Sequence, residues 1–551
     1  MTGWDKEGNV ICINLTKYRE SLRKRAESSV RPSVFAIMIC VFLGQVSGKR
    51  GRPMGKKIII IGGGIAGLSA GCYARMNGYD AEIFEAHDAP GGQCTARTRK
   101  GYRFDTCIHW LLGTSHGVFH DIWKETGSLN DDVRTISHEI FCRVSMPGGE
   151  EFLVYSDIDR WAAYMMELAP DDRVPIDKMR WDIRKLMGQK PFADAPGTRG
   201  MGSYLRAMRD MGPVMRQMTK YYRMSYDEYI KNLYFSSPRL KWALHHCLYA
   251  GTDVSALAFM MLFANFKERN AAYPQGGSLL FAKRMAERFT ELGGVLHLGQ
   301  GVEAIMVEKG RAAGVRLMDG DEYRADVIIS AADLRTTLYD LLGGRYVSAK
   351  MERAFAQWPL YKPLVQVSCG VRRTFDEWIT PLTQVVAPGE QIGSTVLKQG
   401  YSIFNYAFDR TMAPAGKTAM ILRCESPYDL WEGMSDTIYK KEKKQIRQDA
   451  VRLLEREYPG IGDDIDICDV ATPLTTIRNT GVYRGAYEGF LPTGRNIRTS
   501  LPMKLPGLKD FYLAGQWLFP GGGLPPAAQS GKWAIQKQCK ADRREFRAWA
   551  G

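Results

Sequence analysis

Several things this chain lacks narrow it before anything it contains. Its eleven cysteines are odd in number, and none stands in a Cys-x-x-Cys pair or in a Cys/His cluster of zinc spacing. That argues against a disulfide scaffold and a structural zinc site, and for reduced, mostly buried thiols in a cytosolic protein. The eight histidines, His245 and His246 adjacent among them, form no His-Glu-x-x-His, so no metal site is expected. A long apolar run is missing as well. Val34 to Leu43 is ten residues, against the ~20 needed to cross a bilayer. No Arg-rich stripe is interleaved with aromatics, so nucleic acid is not an expected partner.

What is present suits a globular protein of two or more domains: 551 residues, 45% hydrophobic and 25% charged. The net charge of +15 is uneven, because residues 1–53 hold ten Lys or Arg against four Asp or Glu. The remaining basicity suits an anionic cofactor or an acidic lipid surface. Residues 1–53, with Arg23-Lys24-Arg25, the short apolar run and Ser47-Gly48, have some features of a signal peptide. The better expectation is an upstream start, with Met54-Gly55-Lys56-Lys57 as the working beginning, or a loose membrane-touching extension.

Lys56 to Glu85 is the organising stretch. Lys57–Ile61 is a β-branched run, as in a parallel strand covered on both faces. Gly62, Gly64 and Gly67 follow, suited to a tight turn, a close approach of backbone to a pyrophosphate, and close helix packing. Ile65 and Ala66 open a helix whose free N–H groups face the phosphates. Ile65, Leu68, Cys72 and Met76 give it one apolar stripe, Gly78 ends it, and Ala81–Phe84 is a second strand. Glu85, 23 residues after Gly62, is placed to accept from a ribose hydroxyl. This much indicates a dinucleotide without separating FAD from NAD.

Three further motifs carry a resemblance. Glu85-Ala86, four residues, then Gly91-Gly92-Gln93 resembles the second fingerprint of the FAD-dependent amine oxidase and phytoene desaturase superfamily. Gln93 stands where a cation often follows the glycines, and Arg97 is the nearby substitute. Gly101-Tyr102-Arg103-Phe104-Asp105, continuing into Ile108-His109-Trp110, is similar to phytoene desaturases, carotenoid isomerases and, most of all, retinol saturases. Phe511-Tyr512-Leu513-Ala514-Gly515-Gln516-Trp517, then Pro520-Gly521-Gly522-Gly523-Leu524, resembles the family's C-terminal FAD motif, with Gln516 in place of a common acid.

The resemblance implies an α/β fold: a discontinuous Rossmann-like FAD-binding domain of the GR2 flavoprotein type with an inserted mixed α+β substrate domain. The expected parts are an FAD domain over 54–126, 270–335 and 501–551, the last with a basic tail (Lys537, Lys540, Arg543, Arg544, Arg547). A helical substrate or lid region over 127–269 and a substrate domain over 336–500 complete it. FAD would be held noncovalently by Gly62, Gly64, Ile65, Ala66, Gly67, Glu85, Ala86, Gly91, Gly92, Gln93, Arg97, Val302, Gly515, Gln516, Gly522, Gly523 and Leu524. His109 would donate a proton or a flavin-facing hydrogen bond.

The Met-rich and aromatic segment from Met201, Met208, Met211, Met215 and Met218 to Tyr221, Tyr222, Met224, Tyr226, Tyr229, Tyr234 and Phe235 suggests a tunnel for a greasy substrate. Trp358, Phe404, Tyr406 and Trp431 could line its substrate side. The implied activity is desaturation or saturation of carbon–carbon double bonds in an isoprenoid- or polyene-like molecule, hydride passing between substrate carbon and flavin N5. Flavin-dependent double-bond isomerisation, amine oxidation and a non-catalytic prenyl-binding chaperone are the alternatives. No second Gly-x-Gly-x-x-Gly follows a strand, so the electron partner is expected to be oxygen, a quinone or a redox protein. The expected location is cytoplasmic, peripheral to a membrane at most.

Overall fold

A computed structural model describes residues 2–4, 10–12, 55–146, 148–188, 193–198, 219–248, 253–375 and 380–548. Residues 1–54 form a unit of their own, in which Thr2–Trp4 pairs antiparallel with Val10–Cys12. The apolar run at 34–43 and Met201, Met208, Met211, Met215 and Met218 lie outside the described residues. Everything below concerns the second unit, Gly55–Gly551.

Its organising layer is a parallel sheet of five strands drawn from three distant stretches of chain. In chain order these elements are β1 (Lys57–Ile61), helix α1 (Ile65–Met76), β2 (Asp80–Glu85), helix α2 (Gly277–Glu291), β3 (Val295–Leu298), β4 (Val327–Ser330), β5 (Phe511–Leu513) and helix α3 (Leu524–Ala541). The spatial order is β3-β2-β1-β4-β5, with every pair parallel. The isoleucines of β1 are buried because helices cover both faces of such a sheet. The order reverses beside β1, and ligand crevices in open α/β sheets form there, outside the carboxyl ends of the strands.

α1 is buried over every residue from Ile65 to Ala74, not along one stripe as its spacing predicts. The reason is α3, which packs across it. A Cβ on Gly531 would stand 2.4 Å from the Ala66 carbonyl oxygen, and Ser69 Oγ donates to the Ala528 carbonyl at 2.7 Å. α1 ends at Asn77, with Gly78 at φ 75°, the left-handed residue that a helix C-terminus favours.

A second, seven-stranded sheet supplies the other layer, in the order Glu151–Tyr155, Ile140–Ser145, Leu382–Val386, Gly400–Asn405, Thr418–Glu425, Leu364–Val371, Ile465–Ala471. The first two strands fall within 127–269, expected to be helical, and form a hairpin that extends this sheet before the helices of that stretch begin. The sheet is two-faced. Met420, Leu422 and Cys424 point to a core shared with Ile446, Ala450, Leu453 and Leu454 of the helix Asp436–Glu457. Ala419 and Ile421 point the other way, into the core of the parallel sheet, and Arg423 follows them by the two-residue period of a strand.

Trp431 belongs to the core under that helix, so it does not line the substrate side. The basic tail is partly used internally: Lys537 Nζ donates to the Pro196 carbonyl at 2.8 Å, Lys540 to that of Gly197, and Arg544 lies 5.3 Å from the Tyr79 ring centre. Among the described residues no helix is long and apolar enough to cross a membrane.

Candidate functional site

At the carboxyl ends of β1, β2 and β4 the chain makes two glycine loops that lock onto each other. Gly62 has φ 95°, and a Cβ there would meet the Ala331–Ala332 peptide at 3.2 Å. Gly91 N–H donates to the Gly63 carbonyl at 2.9 Å, and a Cβ on Gly92 would stand 3.3 Å from Gly64 Cα. Gly67 allows α1 to start tightly, since a Cβ there would be 1.9 Å from the Gly62 carbonyl. Side chains at these positions would fill the hollow over the α1 N-terminus, where N–H groups are free to receive phosphate.

Glu85 is buried beside this hollow. Its Oε2 accepts from Gly63 N–H at 2.6 Å and its Oε1 from His87 N–H at 3.0 Å, and each oxygen keeps a further lone pair for a hydroxyl. Ala86 and Val302 stand close by: Gln300 N–H donates to the Glu85 carbonyl at 2.8 Å, and Val302 begins the strand Val302–Glu308. Gly515 reaches the same end of the sheet through Ala514, whose N–H donates to the Ser330 carbonyl at 2.8 Å.

Gln516 then folds the second cradle: its Oε1 accepts from Gly523 N–H at 3.3 Å and its Nε2 donates to the Tyr487 carbonyl at 3.1 Å. Gly522 is pressed against the Glu488 carbonyl, which a Cβ would approach to 2.0 Å. Leu524 opens α3 behind it.

Gln93 lies in the turn after Gly92, its carbonyl accepting from Thr95 N–H at 3.0 Å. Arg97 does not join it. Its guanidinium pairs with Asp469 of the seven-stranded sheet at 3.3 Å.

The segment after the Gly-Tyr-Arg-Phe-Asp motif is anchored by one carboxylate. Asp105 is fully buried; its Oδ1 accepts from Cys107 N–H at 2.9 Å and Ile108 N–H at 3.2 Å, and its Oδ2 from Ser278 N–H at 2.8 Å. It therefore caps α2 and folds the 105–108 turn at once, which an anion at a helix N-terminus favours. Burial still raises its pKa against those bonds. Gly277, at φ 63°, leaves room for it, since a Cβ would come within 2.2 Å of Oδ2.

That turn delivers His109 into an aromatic cleft with about 40 Å3 of space open to water-sized molecules. His109 stacks on Phe404 at 3.9 Å between ring centres. Trp110, Phe141 and Phe266 form one wall and Tyr273, Tyr406 and Phe408 another.

The state of His109 is set by its partners. Arg423, 4% exposed, donates through Nη1 to His109 Nε2, through Nε to Gln366 Oε1 at 2.8 Å, and through Nη2 to the Asp105 carbonyl at 3.3 Å. A guanidinium only donates, so Nε2 is an acceptor and the ring proton sits on Nδ1, 3.4 Å from Tyr406 Oη. Burial and the Arg423 charge hold the imidazole pKa well below its ordinary value. His109 is thus a neutral ring whose one N–H, at Nδ1, is a hydrogen-bond donor. It can donate a hydrogen bond from Nδ1 toward Tyr406 while Arg423 keeps the positive charge.

Two residues of the site carry no motif. Arg423 has one legible sign, a charge inside the apolar strand Thr418–Glu425. Glu488 has none: its carboxyl lies under the Gly521–Gly523 loop, with Oε1 3.7 Å from where a Gly523 Cβ would be. Burial pushes its pKa up to about 7, against a hydrogen bond with Tyr361 that lowers it.

The family model described as flavin containing amine oxidoreductase matches residues 65–534. A phytoene desaturase (neurosporene-forming) from Rhodobacter capsulatus is 26% identical over 526 residues, covering 89% of this chain and 94% of that protein. A chloroplastic prolycopene isomerase from Daucus carota is 25% identical over 539 residues, covering 94% of this chain and 85% of its own. The crystal structure of an oxidoreductase from Methanosarcina mazei superposes with a TM-score of 0.57 at 14% identity, covering 87% of this chain and all (100%) of that one.

Proposed function

The chain belongs to the flavin-containing amine oxidoreductases and is an FAD-dependent oxidoreductase, and on that premise we propose that it desaturates or saturates carbon–carbon double bonds of a hydrophobic, isoprenoid- or polyene-like substrate. The observation that carries this is the cleft at His109, whose walls are mostly apolar and rich in aromatic rings. An amine oxidase would need to receive a polar or charged substrate there. The β3-β2-β1-β4-β5 sheet is read as the Rossmann-like half of a discontinuous FAD domain, and the seven-stranded sheet as the substrate domain.

FAD would rest on Gly62–Gly67, Gly91 and Gly92, with Glu85 toward the ribose and Gly515–Leu524 as a second cradle. When bound it supplies two-electron acceptance and return at a substrate carbon. The chain's own part is positional and electrostatic. The aromatic walls bind and orient the polyene and exclude water. Arg423 holds a fixed positive charge beside the cleft, favouring electron density that builds up at a reacting carbon. His109 donates its Nδ1–H toward Tyr406 Oη and so orients the phenol hydroxyl at the cleft. Oxygen, a quinone or a redox protein completes the electron balance. Contact with a lipid surface would ease delivery of so apolar a substrate, and co-sedimentation with anionic liposomes tests it.

Anaerobic titration of the flavin spectrum with polyenes, retinoids and unsaturated lipids is the decisive measurement. A substrate should perturb the flavin and yield a product two hydrogens lighter or heavier. No response across the three classes would overturn the proposal. The likeness to a prolycopene isomerase over 94% of the chain supports a second reading, isomerisation at the same site, which a product of unchanged mass and shifted absorption would select.

A further inference from the structure

Two sulfurs far from the cleft chemistry stand unusually close. Cys369 of the strand Leu364–Val371 and Cys468 of the strand Ile465–Ala471 are directly opposed in antiparallel register, and both are free thiols, with their Sγ atoms 3.0 Å apart. Opposed Cα atoms in such a pair lie about 4.5–5.5 Å apart, inside the span that a disulfide bridges. Forming the bond brings the sulfurs together by about 1 Å and needs no change of register. Packing alone does not call for sulfur here, since two residues along the same face Val367 opposes Val470 in the same core.

The two thiols differ in setting. Cys369 is fully buried in the core beneath the helix Asp436–Glu457. Cys468 belongs to the outermost strand of the seven-stranded sheet and is 8% exposed. Arg447, an exposed residue of that helix, stands within hydrogen-bonding reach of the Cys468 sulfur, which places this sulfur at the solvent rim of the core. The Cys369 thiol donates to it, and this bond together with the Arg447 charge lowers the Cys468 pKa against burial; the same pairing, then burial, raises that of Cys369. A thiolate beside a cation, with a second thiol in reach, is the setting of an oxidisable cysteine and its resolving partner.

We propose that Cys369 and Cys468 form a reversible disulfide on reaction with a hydroperoxide, Cys468 being the attacking sulfur and Cys369 the resolving one. The Cys468 thiolate attacks one peroxide oxygen, the O–O bond breaks, and a sulfenic acid and hydroxide result. Cys369 then attacks that sulfur, the S–S bond forms, and the sulfenic oxygen leaves as water. In sum, two thiols and one hydrogen peroxide give one disulfide and two waters, the sulfurs losing two electrons and the peroxide gaining them. The bond clasps the outermost strand to its neighbour between Asp466 and Asp469, which pair with Lys417 and Arg97. Neither step involves the cleft or its substrate.

The test treats the reduced, flavin-loaded enzyme with hydrogen peroxide, and glutathione in a parallel tube, then alkylates in denaturant and maps the peptides by mass. A linked Cys369–Cys468 peptide, two hydrogens lighter than its parts and split by dithiothreitol, should form at least tenfold faster than glutathione is consumed. In Cys369→Ala, dimedone added with the denaturant should label Cys468, and in Cys468→Ala it should leave Cys369 unlabelled. A smaller rate ratio overturns the proposal, as do both thiols still alkylated once the glutathione has reacted, or a disulfide joining other cysteines in place of this pair. Labelling of Cys369, or of neither sulfur, overturns the assigned roles. Should either variant not fold, the linked peptide and its rate in the unaltered enzyme decide the matter alone.

Discussion

At the scale of single residues, the chemistry of the cleft depends on which group holds charge. Arg423 keeps it and His109 does not, because a guanidinium stays protonated in a buried setting where an imidazole does not. Arg423→Met should release His109 Nε2 from its donor and let the ring titrate closer to its ordinary range, seen as an upward shift of its pKa by NMR. Turnover should fall tenfold or more; an unchanged His109 titration would refute the pairing. Glu488 gives a second residue-scale prediction. Its folded pKa of about 7 exceeds the model-peptide range, so the folded state holds a proton that the unfolded chain has lost, and stability declines as pH rises from about 4.5 to 7. Asp333, raised to about 6 by burial, adds the same trend, while His138, lowered to about 4, opposes it by losing stability as pH falls below about 6.5. The difference between the unaltered enzyme and Glu488→Gln isolates the glutamate. In urea titrations the unaltered enzyme should lose stability relative to the variant over pH 4.5–7, by at most roughly 3 kcal/mol.

At the scale of elements, close approaches of backbone decide where the helices sit. α2 begins at a left-handed glycine pair because the Asp105 carboxylate occupies the place of a side chain at Gly277. Gly277→Ala should cost about 2–4 kcal/mol in chemical denaturation, from the conflict with Asp105 and an unfavourable φ together. Asp105→Asn keeps the volume but turns an amide donor toward backbone N–H donors, at about 1–3 kcal/mol. Gly531 does for the α1–α3 crossing what Gly277 does for α2. Gly531→Val would force α3 off the Ala66 carbonyl and with it the start of α1. Reduced FAD retention on gel filtration, besides a lower melting temperature, is the expected sign, whereas unaltered retention would show that the crossing does not position the glycine loops.

For the molecule as a whole, the parallel sheet takes its strands from residues 57–85, 295–330 and 511–513, so sequence-distant segments must meet to complete it, and in the proposed function they do so around one cofactor. Ligand that binds only the folded chain adds about 2.7 kcal/mol at a hundredfold excess over its Kd. Stripping FAD should therefore lower the melting temperature by several degrees, and adding it back should restore the loss. Equal melting of the two forms would mean that the fold is complete without its cofactor.

The sequence alone carried the three glycine motifs, the order of strand and helix around them, and the buried character of β1, because phosphate recognition and tight turns depend on residues adjacent in the chain. It also carried His109, through a short local motif. Arg97 paired with Asp469, Trp431 in the second core and the hairpin at 140–155 were not legible there, since each depends on what another segment brings within reach. Only the tertiary structure decided that Arg423 holds His109 neutral and that Glu488 lies under the third glycine loop. Protonation is set by burial and by neighbours in space, and those neighbours, Arg423 for His109 and Tyr361 for Glu488, stand more than a hundred residues away.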